Sequence, residues 1–299
     1  MKTSASYPFR SAQAKAEYQA LYMERAKAWP VASETRLVET PSGQTYVRMS
    51  GSTANPPLVL LHGARGNSLM WIPNIAALSA HYRTYALDTI GDTGLSVSRP
   101  GLTKPEQLVN WLAEVLAALV PEGTLSLVGM SYGGWLASQY ALRFLRRLQK
   151  VILLAPAATV LPVSFALIVR ALLTVVPRTD FRRKFYYWLL RDAVQSGEAG
   201  RAKVDEAVAD WEVAERCFGP LPTLPATVLT DQEWQSVGVP ILFMVGENEK
   251  IYSAQKAVWR LNRVALQIKT EIIPQAGHDL WMVQADIVTR KMLDFLLAP

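Results

Sequence analysis

The sequence predicts an α/β protein whose mostly parallel central sheet is covered by helices on both faces. Three observations carry that expectation. Short apolar runs near residues 58–61, 83–87, 125–128, 151–154, 241–245 and 270–273 alternate with helical stretches, the pattern of a parallel sheet whose crossovers lie on either side. The pentapeptide Gly129-Met130-Ser131-Tyr132-Gly133 follows the apolar run Leu125-Ser126-Leu127-Val128 and precedes Gly134 and a helix-forming stretch. A strand there must turn within a few residues into a helix, the context of a nucleophile elbow. Half of the 299 residues are hydrophobic, ample for one large domain with an insertion.

Taken in order, Tyr18, Leu21, Tyr22 and Trp29 recur at helical spacing within residues 15–29, which predicts an amphipathic N-terminal helix packed on the body or on the insertion. Residues 36–39 and 46–49, joined through Pro41-Ser42-Gly43, read as a β-hairpin. Thr103-Lys104-Pro105-Glu106 reads as a capping box with proline in the first turn, opening a helix to about Leu119. Between residues 155 and 235 the alternation stops and the pattern is helical, with prolines near both ends. Residues 151–169 hold no ionisable side chain over 19 positions, a length that admits a membrane span. Pro156, Pro162 and the strand pattern of residues 151–154 favour a strand followed by an apolar helix instead.

The formal charge of +6 is uneven. Arg143, Arg146, Arg147 and Lys150 are expected to end the helix after Ser131, where cations suit the helix dipole. Arg178, Arg182, Arg183, Lys184 and Arg191 lie near Phe181, Phe185, Tyr186, Tyr187 and Trp188. A basic helix rich in aromatics can make weak contact with an anionic membrane surface; the expectation is a solvated face over a lipophilic pocket. Nothing resembles a nucleic-acid module. Cys217 is the single cysteine, which excludes an intramolecular disulfide and a cysteine-based metal cluster. Three scattered histidines make a zinc site an unfavourable reading, and no cofactor is implied. Met1-Lys2-Thr3-Ser4-Ala5-Ser6-Tyr7-Pro8 lacks the apolar core of a secretory signal, so a cytoplasmic protein is expected.

A serine hydroxyl near pH 7 needs a positioned base, usually a histidine oriented by a carboxylate. His81 sits at a polar junction and reads as a surface residue; His62 ends the strand of residues 58–61, before the serine. His278, in Pro274-Gln275-Ala276-Gly277-His278-Asp279-Leu280, lies on a loop just after the strand ending at Ile273 and suits the role. Ligand sites in open parallel sheets gather beyond the carboxyl ends of the strands, and Gly246-Glu247-Asn248-Glu249 directly follows the buried strand of residues 241–245. Glu247 and Glu249 both qualify by chemistry.

In the order serine, acid, histidine, the chain resembles the α/β-hydrolase fold superfamily, in its serine-nucleophile, carboxylesterase-like branch, from about Leu37 to the C-terminus. The resemblance rests on Leu60-Leu61-His62-Gly63-Ala64, Asp88-Thr89-Ile90-Gly91-Asp92-Thr93-Gly94-Leu95-Ser96, the elbow at Ser131, Gly246-Glu247-Asn248-Glu249 and Gly277-His278-Asp279. It implies residues 1–155 and 236–299 as core, with 1–30 as an N-terminal helical extension, and residues 156–235 as a helical cap inserted after the sixth strand. It also implies that the acid is Glu249, three residues after the glycine, and that the N–H groups of Ala64 and Tyr132 form the oxyanion hole, with His62 a structural turn residue. The acid is glutamate where aspartate is commoner, and the loop after Asp88 is one residue longer than D-x-x-G-x-G-x-S. The expected reaction is hydrolysis of a small to medium lipophilic carboxylic ester by water through an acyl-enzyme, with Trp71 and Trp281 as pocket candidates. A carbon–carbon bond hydrolase, thioesterase, lactonase or haloperoxidase-like enzyme could use the same residues, and a non-catalytic binder of a small apolar ligand is the rival from another class.

Overall fold

The structure, a computed structural model, describes residues 7–174, 176, 179–222 and 224–299, and the side chain of Thr179 is outside that description. Residues 1–6 of the stretch read for a secretory signal and Arg178 of the basic cluster lie outside the described residues. The elements run α1 (Ala12–Ala26), β1 (Ser33–Thr40), β2 (Gly43–Ser50), β3 (Pro57–Leu61), α2 (Ile72–His81), β4 (Arg83–Leu87), β5 (Val97–Ser98), α3 (Pro105–Leu119), β6 (Leu125–Met130), α4 (Tyr132–Arg143) and β7 (Leu148–Leu154). After these come five helices, α5 (Phe165–Leu173), α6 (Thr179–Leu189), α7 (Arg191–Gln195), α8 (Glu198–Cys217) and α9 (Asp231–Ser236). The chain closes with β8 (Ile241–Gly246), α10 (Ala254–Val264), β9 (Ile268–Ile273), α11 (Leu280–Val283) and α12 (Ala285–Leu297).

The sheet order is β1-β2-β4-β3-β6-β7-β8-β9, with β5 paired to β2. The hairpin β1–β2 and its neighbours are antiparallel, and every pair from β4 to β9 is parallel. β3, β6, β7 and β8 are buried almost throughout and mostly apolar because helices cover both faces. Because these strands all run the same way, the loops after β3, β4, β6, β8 and β9 gather at one end of the sheet, and the order in which strands are added reverses at β3.

Most of the expected elements form. The helix of residues 15–29 is α1, starting at Ala12 because the Ser11 hydroxyl accepts from the Ala14 N–H. It packs on body and insertion together: Tyr22 donates to Asp88 at 3.3 Å, and Arg25 forks onto Asp210 of α8 at 2.8 and 2.9 Å. The capping box at Thr103 does not form as expected. The Gln107 side chain, not Glu106, accepts from the Thr103 and Lys104 N–H groups at 2.8 Å, so the box sits one residue later.

The basic residues after Ser131 also differ from expectation. Only Arg143 lies in the last turn of α4. Arg147 donates to the carbonyls of Val120 and Pro121 beyond α3. Lys150 lies within β7, buried, and its ammonium group serves the carbonyls of Phe295 at 3.0 Å, Leu296 at 3.2 Å and Ala298 at the end of α12. These cations suit helix C-termini as the dipole argument requires, but the helices are α3 and α12, brought close by the sheet. The boundary drawn at Gln235 falls inside α9, whose Trp234 belongs to the main core.

Replacing Lys150 by Met keeps an apolar stem but leaves those carbonyls without their donor. Urea unfolding of Lys150→Met is expected to show a loss of about 1 to 3 kcal/mol; an unchanged midpoint would mean that water replaces the ammonium group at no cost.

Candidate active site

The elbow forms because its neighbours carry no side chain in the way. A Cβ on Gly129 would lie 2.2 Å from the Gly133 carbonyl oxygen, and one on Gly133 would lie 2.4 Å from that of Leu61. Strand and helix therefore pass closer than any larger residue allows. Ser131 between them has φ 51° and ψ −114°, a left-handed conformation that a non-glycine residue keeps only where its surroundings fix it. The fixing bonds are its N–H to the Leu154 carbonyl at 2.8 Å and its carbonyl accepting from Trp135 and Ala157 at 3.0 Å.

The Ser131 hydroxyl donates to His278 Nε2 at 3.0 Å, and His278 Nδ1–H donates to Glu249 Oε2 at 3.0 Å. The other carboxylate oxygen of Glu249 accepts the Lys250 and Ile251 N–H groups, both at 2.8 Å. Its side chain is fully buried, so two backbone dipoles and the imidazole compensate a charge removed from water. Glu247 is exposed and accepts from the Gln275 N–H at 3.3 Å, away from the imidazole. The three predicted side chains, Ser131, Glu249 and His278, thus form one hydrogen-bonded line. The hydroxyl can be deprotonated by the imidazole, and the imidazolium that results would face a carboxylate.

The loop after β3 runs against the serine: a Cβ on Gly63 would be 3.3 Å from Ser131 Cβ. Neither the Ala64 nor the Tyr132 N–H donates a hydrogen bond among the described residues. His62 lies at the junction of two loops. Its Nδ1 contacts the Gly63 carbonyl at 2.7 Å and its Nε2 accepts the Thr89 N–H at 2.9 Å, which fixes Nδ1 as the protonated nitrogen. His81 ends α2, exposed. Trp71 is a correction to the pocket expectation, since it is wholly buried in the main core. Trp281, in α11, is half-buried against the same core. Among the described residues, no group of three or more His, Cys, Asp or Glu could hold a metal ion.

Sequence reasoning attached no role to Asp88, Asp92 and Asp279, and the structure gives each a bonding duty. Asp88 accepts the Ser68 N–H at 2.7 Å and the Leu95 N–H at 2.8 Å. Asp92 accepts the Arg65 N–H with both oxygens at 3.0 Å and the Thr93 N–H at 2.8 Å. Asp279, beside His278, is buried and accepts from Gly277 at 3.1 Å and from Ala193 of α7 at 2.7 Å. Asn248, beside Glu249, donates to Asp192 at 2.8 Å. The inserted helices are therefore tied to both loops that carry the imidazole and its acid. The donors Ser68, Arg65 and Ala193 lie 20, 27 and 86 positions from their aspartates, too distant in sequence to be read.

Ser131 is only 8 % exposed and His278 7 %. A cavity of about 150 Å³ is lined by Ala64 and Tyr132 together with Ile90, Leu102, Leu108, Pro222 and Leu224, and by the polar Arg65, Thr89 and Asp92. A second, of about 760 Å³, lies between the inserted helices and the body and shares Arg65 with the first.

Burial, followed by the charge of Asp192, holds the Asp279 carboxyl above the usual carboxylate range. A raised folded-state pKa contributes stability that is present below the unfolded pKa and lost as pH rises through the folded one. Asp279→Ala is expected to cost about 1 to 3 kcal/mol for a buried N–H left without an acceptor. The loss, read by urea unfolding, should be larger at acid than at neutral pH; the opposite trend would mean that the carboxyl is ionised throughout.

Known proteins share this arrangement of strands and loops. Residues 58–290 match the alpha/beta hydrolase family. The chain is 31 % identical to the carboxylesterase YbfK of Bacillus subtilis over 291 residues, 97 % of each chain. It is 35 % identical to the uncharacterised carboxylesterase nap of the same organism over 288 residues, 94 % of this chain and 92 % of that one. The crystal structure of the naproxen esterase (carboxylesterase NP) of B. subtilis superposes with a TM-score of 0.85 at 32 % identity, covering 96 % of this chain and 99 % of that one. With this fold, and with that match over most of its length, the chain belongs to the alpha/beta hydrolase family.

Proposed function

We propose that the protein is a serine carboxylesterase that cleaves a small to medium lipophilic ester through an acyl-enzyme. The observation that carries this reading is the line from Ser131 through His278 Nε2 and Nδ1 to Glu249, at 3.0 Å in each link. In the proposed cycle His278 takes the Ser131 proton and the oxygen attacks the ester carbonyl. The Ala64 and Tyr132 N–H groups, which have no other acceptor among the described residues, stabilise the oxyanion. Protonated His278 gives its proton to the leaving alcohol, and water activated by the same imidazole releases the acid. The full-length likeness to carboxylesterases supports the same class of substrate. An apolar slot of about 150 Å³ at the oxyanion wall is the size of an engineered cavity that holds benzene, which supports an ester group of that bulk.

Fluorophosphonate labelling of the purified protein beside Ser131→Ala, with 4-nitrophenol release followed in parallel, tests the reading. Labelling and turnover should both vanish in the variant, with kcat falling at least about 10³-fold. A well-folded wild type that neither labels nor turns over esters would overturn it in favour of ligand binding.

Residues 156–235 act in this proposal as a cap over a core of residues 1–155 and 236–299, supported by the ties from Asp192 and Ala193 to the loops of Glu249 and His278. The proposed contact with anionic lipid moves from α6 to α5. On α6 the aromatics are half-buried, and Arg182, Arg183 and Lys184 pair with Glu215, Asp205 and Asp180. On α5 no residue is buried; Phe165 is 80 % and Leu172 66 % exposed, while Arg170 turns inward onto the Trp188 ring at 4.6 Å. An exposed apolar helix face of this kind suits an interfacial helix. No helix among the described residues is long and apolar enough to cross a membrane. The protein should co-sediment with phosphatidylcholine vesicles containing phosphatidylglycerol, less so at high salt, and Ile168→Asp/Leu172→Asp should stay in the supernatant while folded by circular dichroism. Equal sedimentation of both proteins would remove α5 from the contact.

A further inference from the structure

The 760 Å³ cavity is bounded by Arg10, Arg65, Arg182 and Arg216 against Glu212 and Glu215, a formal excess of two positive charges. Three of these cations already have protein acceptors. Arg182 pairs with Glu215, Arg216 with Glu17 at 3.0 Å, and Arg10 donates to the Glu215 carbonyl at 3.4 Å. Arg65 differs: its side chain is exposed, and its guanidinium has no ion pair or hydrogen bond among the described residues.

The Arg65 backbone is nonetheless rigidly held. Its φ of 59° is left-handed, a conformation that costs a non-glycine residue energy and persists only when neighbours enforce it. Asp92 enforces it, gripping the Arg65 N–H with both oxygens while also accepting from Thr93. Those oxygens are engaged with backbone donors, and burial raises the Asp92 carboxyl above its usual range against the opposing charges of His62 and Arg65. Arg65 follows Ala64 directly and lies on the wall common to the apolar slot and the larger cavity. A fixed backbone thus presents a guanidinium fork without a hydrogen-bond partner among the described residues, one residue from the proposed oxyanion hole, and its planar pair of N–H donors matches a carboxylate.

We infer that Arg65 binds a carboxylate on the substrate, so that the enzyme favours half-esters of dicarboxylic acids, with the ester at Ser131 and the free acid in the larger cavity. This selects a substrate class within the proposed esterase reading and rests on it. The acid end remains ionised throughout, and the ester bond breaks as already described. Arg65 acts on binding and orientation rather than on proton transfer.

The test compares mono-4-nitrophenyl suberate with methyl 4-nitrophenyl suberate, which carry a carboxylate and an uncharged methyl ester at the far end. The ratio of kcat/KM, charged over neutral, should exceed one in the wild type and fall by about 10- to 100-fold in Arg65→Gln, the loss expected for a hydrogen bond to a charged group. Arg65→Lys should restore part of it. A ratio that is the same in wild type and Arg65→Gln would overturn the inference, because a merely structural role would slow both esters alike. Calorimetric binding of the charged half-ester to Ser131→Ala, beside Ser131→Ala/Arg65→Gln, reads the site without turnover. Binding that is lost with Arg65 supports it, and equal binding refutes it even if the esterase reading itself fails.

Discussion

The strained backbone of Ser131 is the constraint on which the site depends. A left-handed serine at the end of β6 is worth about 1 to 3 kcal/mol of strain, and it is sustained by strands on either side. β3 supplies carbonyls against which Gly133 packs, and β7 supplies the acceptor for the Ser131 N–H. The elbow could not persist in an isolated strand–turn–helix segment, because those neighbours come from residues 61 and 154. Central parallel strands with apolar side chains on both faces are therefore a requirement of the chemistry as well as of the core.

Around that point the loops are held by carboxylates that accept backbone N–H groups. Asp88, Asp92, Glu249 and Asp279 each do so. A carboxylate offers four acceptor positions on a short stem, so one side chain can pin two or three turns of chain that have no secondary structure of their own. Other non-glycine residues with positive φ also sit in these loops: Arg65 after β3, Ala155 after β7 and Gln275 after β9. Strain gathered at the strand ends and compensated by fixed acceptors is how loops become as rigid as the sheet below them.

The helices between β7 and β8 are of mixed allegiance. Tyr132 of α4 donates to the Leu224 carbonyl, and Leu229 and Trp234 join the main core. Helices α6 to α8 instead form a small apolar cluster around Ala193, Val204 and Val208, packed against Met282 and Val283 of α11. α1 completes the arrangement, since Phe9, Tyr18 and Tyr22 share a second cluster with Cys217 and Phe218 at the end of α8. The segment N-terminal to the sheet thus buttresses the inserted helices rather than the body alone.

By itself the sequence determined the parallel α/β architecture, the hairpin, the elbow and the identities of Ser131 and His278. Each of these is written in local pattern: period-two or continuous apolar runs, glycines flanking a serine, a histidine just past a strand. The sequence left Glu247 and Glu249 equal by chemistry, and the family resemblance chose between them. Only the tertiary structure separated them physically, because two residues along an exposed turn reverse whether a carboxylate faces water or an imidazole. It also decided that Trp71 is core, that Lys150 serves α12, that α5 presents its apolar side outward and that Arg65 faces a cavity. The Arg65 and Lys150 outcomes depend on partners 27 and up to 148 positions away, and a contact of that range leaves no periodicity in the chain from which it could be read.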